Sequence, residues 1–137
     1  MKIDEDFVKG VAYYIGDGRI AAPRSLSTVN QNVETIKFFL NWLKNYFDIP
    51  LERIKIKIKM NTKSFDEEEI KESYSQKLGI QKGNITSVSV KEKAKTHHKI
   101  IIEIWANNTK AKRKFDSLIP IVKEKCLKNE KLAVEYI

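Results

Sequence analysis

Cysteine, histidine and proline are scarce in this chain, with one, two and three copies among 137 residues. A single thiol, Cys126, excludes an intrachain disulfide and fits a reducing compartment. Two histidines and one cysteine are too few for a zinc site of the usual Cys/His type built from one chain. No apolar run reaches the roughly 20 residues needed to span a bilayer. The opening Met1-Lys2-Ile3-Asp4-Glu5-Asp6 is acidic and has none of the features of a secretory signal. Phosphate-binding glycine loops, dinucleotide fingerprints, Ser/His/Asp triads and paired glycosidase acids are all missing. The expectation is a soluble, cytoplasmic protein with no membrane partner and no small-molecule substrate.

Positive charge, by contrast, is abundant. Twenty-six Lys and Arg face eighteen Asp and Glu, a formal net charge of +8, and the isoelectric point is near 9.5. That excess points to an anionic partner, nucleic acid above all. The other reading is a lysine-rich surface of the kind that accompanies high Lys, Glu and Ile in proteins from hot environments. With 42% apolar residues, the chain can bury an ordinary core as a single domain over 1–137.

The apolar periodicity predicts the elements. A first helix runs from about Asp6 to Gly16, with Asp4 to Asp6 as its acidic start. Arg19 to Asn30 reads as two short strands with Pro23 at a bend or edge. Asn32 caps a second helix, in which Val33, Ile36, Leu40, Leu43 and Phe47 recur at three- and four-residue steps, and Asp48-Ile49-Pro50 stops it. From Arg53 to Lys59 the chain alternates strictly. Arg53, Lys55, Lys57 and Lys59 line one face and Ile54, Ile56 and Ile58 the other, the pattern of a half-buried strand with a cationic outer side. Ser64 and Glu67 are spaced as a capping box for a short helix over Asp66 to Lys77, whose thin apolar edge is Ile70, Tyr74 and Leu78 and whose stop is Gly79. Strands follow over Asn84 to Lys93 and over Lys99 to Ala106, the latter central or packed on both sides, with a polar turn from Ala94 to His98 between them. Thr109 opens a last helix that Pro120 should kink or end early. Trp42, Trp105 and Cys126 read as core. The order α-β-β-α-β-α-β-β-α defines an α+β domain with helices gathered on one face of a largely antiparallel sheet.

One segment carries more than packing. Phe7 to Gly18 is helix-compatible and ends in Asp17 between two glycines, with no charge between Lys9 and Asp17. Ala12 and Gly16 are four residues apart and share one helix side, which lets another helix approach closely. A carboxylate at such a helix end suits a divalent cation with oxygen ligands. Gly10-Val11-Ala12-Tyr13-Tyr14-Ile15-Gly16-Asp17-Gly18 resembles the signature motif of the LAGLIDADG homing endonucleases, covering its nine positions, with Ala12 in place of the more usual glycine. Ser27 to Leu40, Gly79-Ile80, and Ile100 to Trp105 before Asn107-Asn108-Thr109 are similar to archaeal and bacterial members. Lys131 to Ile137 resembles the approach to a second copy of the motif, as if the chain were the N-terminal half of a two-motif protein.

The resemblance implies a homing-endonuclease-like α-β-β-α-β-β-α core whose sheet forms a saddle over double-stranded DNA, with the Asp66 to Lys77 helix as an insertion. It implies a homodimer through the helix over residues 7–17, with Ala12, Tyr13 and Gly16 at its interface. Asp17 would be the catalytic and metal-binding acid, and magnesium the cofactor of a phosphodiester hydrolase that cuts both strands. A helix-ending Asp before a glycine turn is the plainer reading of Asp17.

Arg19, Arg24, Arg53, Lys55, Lys57, Lys59, Lys91, Lys93, His98 and Lys99 form the candidate nucleic-acid set, since a β-ribbon with basic side chains can enter the major groove and meet phosphates or guanine edges. A solvated strand face whose lysines deter edge pairing is the alternative. Ser25, Ser27, Thr28, Asn30 and Gln31 are neutral donors and acceptors of the kind that read bases, and equally ordinary in a strand and cap. His97 and His98, adjacent on a strand, point to opposite faces and make a poor chelate. Asp66 to Glu69 is an acidic helix start. Three functions follow: a LAGLIDADG-type DNA endonuclease; a non-cutting DNA- or RNA-binding regulator or splicing helper with the same fold; and a half-domain that needs a second half.

Overall fold

The computed structural model describes residues 2–17, 24–60, 66–90, 100–127 and 134–135. Ten elements follow in order: β1 (Lys2–Ile3), α1 (Glu5–Asp17), β2 (Ser25–Asn30), α2 (Val33–Phe47), β3 (Ile54–Met60), α3 (Glu67–Leu78), β4 (Ile85–Val90), β5 (Ile100–Asn107), α4 (Thr109–Leu127) and β6 (Val134–Glu135). The described fold is α+β, with four helices and a four-stranded mixed sheet of order β2-β5-β3-β4. A separate two-residue ladder pairs β1 with β6. No described helix is long and apolar enough to cross a membrane.

Helix boundaries follow from local chemistry. Asp4 starts α1: its carboxylate accepts from the Phe7 amide at 2.9 Å and from the Tyr46 hydroxyl, so one cap also ties the start of α1 to the end of α2. Asn32 caps α2 through the Glu34 amide at 2.8 Å, as expected. The α2 stop is Asp48, which adopts the left-handed conformation (φ 53°, ψ 33°). The capping box expected at Ser64 and Glu67 is replaced by Asp66, which accepts from the Glu68 and Glu69 amides at 2.9 and 3.3 Å. Ser64 lies outside the described residues. Gly79 ends α3 with φ +70°, a conformation that side chains resist. Helix α4 runs through Pro120 to Leu127 instead of ending early.

The sheet meets the expectation in part. Only one strand, β2, is described between the first two helices; the other expected there falls on residues 18–23, outside the described part. Among the described strands β4 runs parallel to β3, one parallel pairing within the largely antiparallel sheet that was expected. The reason is α3. A helix between two neighbouring strands carries the chain back over the sheet, so the second strand must run the same way as the first. The other two pairings, β2 with β5 and β5 with β3, are antiparallel.

All the helices pack on one side. Ile54, Ile56 and Ile58 of β3, Ile102 and Ile104 of β5, and Leu26 and Thr28 of β2 are fully buried beneath them. Each isoleucine there contributes roughly 1.5–3 kcal/mol relative to exposure. Above lies an aromatic cluster. Trp42 stacks on Phe39 at 4.9 Å and meets Phe47 edge-on at 4.9 Å. Tyr14 meets Phe115 edge-on at 4.8 Å, joining α1 to α4.

Candidate nucleic-acid interface

Strand β3 creates the site. Its residues alternate buried and half-buried from Ile54 to Met60, which sends Lys55, Lys57 and Lys59 to the side of the sheet away from the helices. Register then fixes their neighbours. On β5, Trp105 lies opposite Lys55, Glu103 opposite Lys57 and Ile101 opposite Lys59. On β2, Ser27 pairs with Trp105 and Val29 with Glu103. On β4, Ser87 pairs with Lys57 and Ser89 with Lys59. The face that no described helix covers, the open face, is thus a cationic row on β3 beside a mostly apolar row on β5; Ser27, on its β2 side, is nonetheless buried at 2% exposure. The lysine stems lie half-buried along the sheet with ammonium groups at their ends.

The expected nucleic-acid residues divide three ways. Lys55, Lys57 and Lys59 share the open face. Arg24 and Arg53 are exposed but stand outside the strands, Arg24 just before β2 and Arg53 in a 3-10 turn, Leu51–Arg53, that leads into β3. The cationic strand face is therefore shorter by one residue than the alternation implied. Arg19, Lys91, Lys93, His98 and Lys99, together with His97, lie outside the described residues. Among the neutral side chains, Thr28 points to the helices and donates to the Tyr13 carbonyl at 3.0 Å. Asn30 accepts from the Asn32 amide at 2.8 Å, a turn role.

Trp105 overturns its assignment to the core. Unlike Trp42, which is 2% exposed, Trp105 is half-buried on the open face. The buried residues of β5 are Ile102, Ile104 and Ala106, one register step away.

Helix α1 presents its motif as two sides. Phe7, Val11 and Tyr14 enter the core, and Gly10 abuts Trp42 so tightly that a β-carbon there would come within 2.3 Å of the indole nitrogen. Ala12 is exposed and Tyr13 is half-buried, with its ring edge-on to Phe38 at 5.9 Å. Asp17 is the last residue of the helix; its side chain and the surroundings of Gly16 lie outside the described part, as does the side chain of Cys126. Among the described residues, no group of three or more His, Cys, Asp or Glu converges as metal ligands.

Sequence reasoning missed one charged group near α1. Lys112 of α4 is 3% exposed and bonds Asp116 at 2.6 Å, with its ammonium 5.4 Å from the Tyr14 ring. Burial pushes its pKa down, but hydrogen bonds to Asp116 and Tyr14 outweigh that and hold it above the ordinary lysine value. The i,i+4 spacing of Lys112 and Asp116 was visible in the sequence; the burial was not.

Compared with protein-family models, with curated proteins and with solved structures, the chain matches none.

Proposed function

We propose that this chain binds nucleic acid across the open face of its sheet, and that it does so as a LAGLIDADG-type protein acting on double-stranded DNA. The observation that carries the reading is the row Lys55, Lys57 and Lys59, projected together from one strand of a chain with net charge +8. Three cations on a face that no described helix covers supply phosphate contacts that position a protein on DNA.

The endonuclease form of the proposal rests on the motif resemblance, with two supports. The order α1, β2, α2, β3, β5, α4 follows the family's core if α3 and β4 are an insertion and the remaining strand falls on residues 18–23. Ala12 is exposed on α1, on the side that does not enter the core, as a helix meeting its copy about a two-fold axis requires. In that dimer, Asp17 from each chain would hold magnesium, which neutralises developing charge and activates water.

A second reading is the non-cutting binder, in which the face holds nucleic acid and Asp17 only ends a helix. Glu103 and Trp105, opposite Lys57 and Lys55, favour a face that does more than hold duplex phosphates, because an acid and a large aromatic add nothing to those contacts.

Replacing Lys55 and Lys57 together by Gln tests the surface: duplex affinity should fall and the slope of log affinity against log salt should flatten by roughly 2. An unchanged slope rejects the open face. Replacing Asp17 by Asn tests the chemistry: magnesium-dependent cleavage should vanish with binding retained. Cleavage that survives removes Asp17 from the site.

A further inference from the structure

We infer that the open face takes a single-stranded stretch of nucleic acid, with Trp105 as the residue on which a base stacks. The inference rests on the reading of that face as a nucleic-acid surface and sides with the non-cutting binder, since it puts a single strand where the endonuclease form puts a duplex.

Along β3 the lysines stand about 6.7 Å apart, two residues per step, and the apolar row of β5 runs alongside at about 4.8 Å. In that row Trp105 and Ile101 flank Glu103, and Val29 extends it onto β2. A single strand laid along the groove between the rows puts phosphates over Lys55, Lys57 and Lys59 and turns its bases toward Trp105. Charge on one side and an aromatic surface on the other is the arrangement by which open sheets hold single strands.

A duplex does not use this arrangement. Its bases present only edges in the grooves, their faces being covered by their own stack. Trp105 would then contribute little beyond contact area, and Glu103 would oppose the phosphates. For an unpaired strand Trp105 has a role: the indole meets a base face. The strand that carries the indole is held on both edges, with Lys55 on β3 and Ser27 on β2 opposite Trp105, so its backbone needs no ordering on binding.

The fluorescence of the protein reports the contact directly. The chain has two tryptophans, and Trp42 is 2% exposed in the core, so quenching on binding comes from Trp105. The experiment titrates the protein with a short oligothymidylate strand and with the same strand annealed to its complement. The expected result is saturable quenching by the single strand, tighter binding of the strand than of the duplex, and a loss of roughly 5- to 100-fold in strand affinity for Trp105→Ala. Trp105→Phe, which keeps a ring, should retain most of that affinity and lose the quench. Strand binding that leaves the fluorescence unchanged, or that Trp105→Ala does not weaken, overturns the inference. Duplex binding that depends on Lys55 and Lys57 while the single strand fails to bind overturns it too, and leaves the proposed DNA-binding function standing. Failure of both nucleic acids to bind rejects both.

Discussion

Gly10 on α1 lies against the indole of Trp42 on α2, with room for no more than a hydrogen. An added β-carbon would sit 2.3–2.4 Å from Nε1, Cδ1 and Cε2 of the ring. The indole N–H completes the contact by donating to the Phe7 carbonyl one turn earlier, at 3.1 Å. Trp42 cannot withdraw, because Phe39 and Phe47 hold it on either side.

Gly10→Ala should therefore destabilise the fold by about 1–3 kcal/mol, the range for overpacking a tight core, although alanine is the better helix former. A urea unfolding midpoint measures this directly. A neutral or stabilised variant would mean that the α1–α2 contact is looser than described.

Lys112 gives a contrast between two substitutions. Its stem is buried against Tyr14 and Phe115, while Asp116 is half exposed and can return its charge to water. Lys112→Met keeps the packing and should change stability by less than about 1 kcal/mol. Lys112→Ala loses the packing and should cost about 2–4 kcal/mol. Equal losses in thermal unfolding would show that the ammonium, through Asp116 and the Tyr14 ring, carries the stability and the stem does not.

Asp48 invites a stabilising change. It adopts φ +53° at the end of α2, where its carboxylate also faces the negative end of the helix dipole. Asp48→Gly relieves both and should raise stability by about 0.5–1 kcal/mol. A lowered unfolding midpoint would assign Asp48 a compensating role.

Tyr46 sets an alkaline limit. Burial, then its hydrogen bond to Asp4, raise its pKa above the ordinary value of 10.0. Above pH 10 the unfolded chain loses this proton while the folded one keeps it, so stability present below pH 10 declines as pH rises. Tyr46→Phe should make that decline shallower in unfolding curves taken between neutral pH and pH 11. Some decline should remain, because burial raises the pKa of Tyr74 as well. Parallel curves for the two proteins would remove Tyr46 from the alkaline transition.

Local chemistry made much of the fold legible in the sequence. The apolar stripe of α2, its Asn32 cap, the Gly79 stop and the strict alternation of β3 each follow from a period of 3.6 or 2 and from a residue suited to an end. The cationic row was legible for the same reason. Trp105 was not, because a run such as Ile100-Ile101-Ile102 hides its phase: three consecutive isoleucines fit either side of a strand. Glu103 carried the clue, since a charge two residues from Trp105 marks their common face as the solvent side. The placement of the other basic residues had no such signal.

The sequence by itself determined the four helices and the strands β2 to β5, though not the short ladder of β1 with β6, that the chain carries surplus positive charge, and that one strand wears it on a single face. All of these are properties of neighbours along the chain. The tertiary structure alone decided that β4 runs parallel to β3, that Gly10 is required by an indole 32 positions away, that Lys112 is buried, and that Trp105 stands beside Lys55 on the open face. Each of those depends on pairing between residues far apart in sequence, where register and packing act and local periodicity has no information.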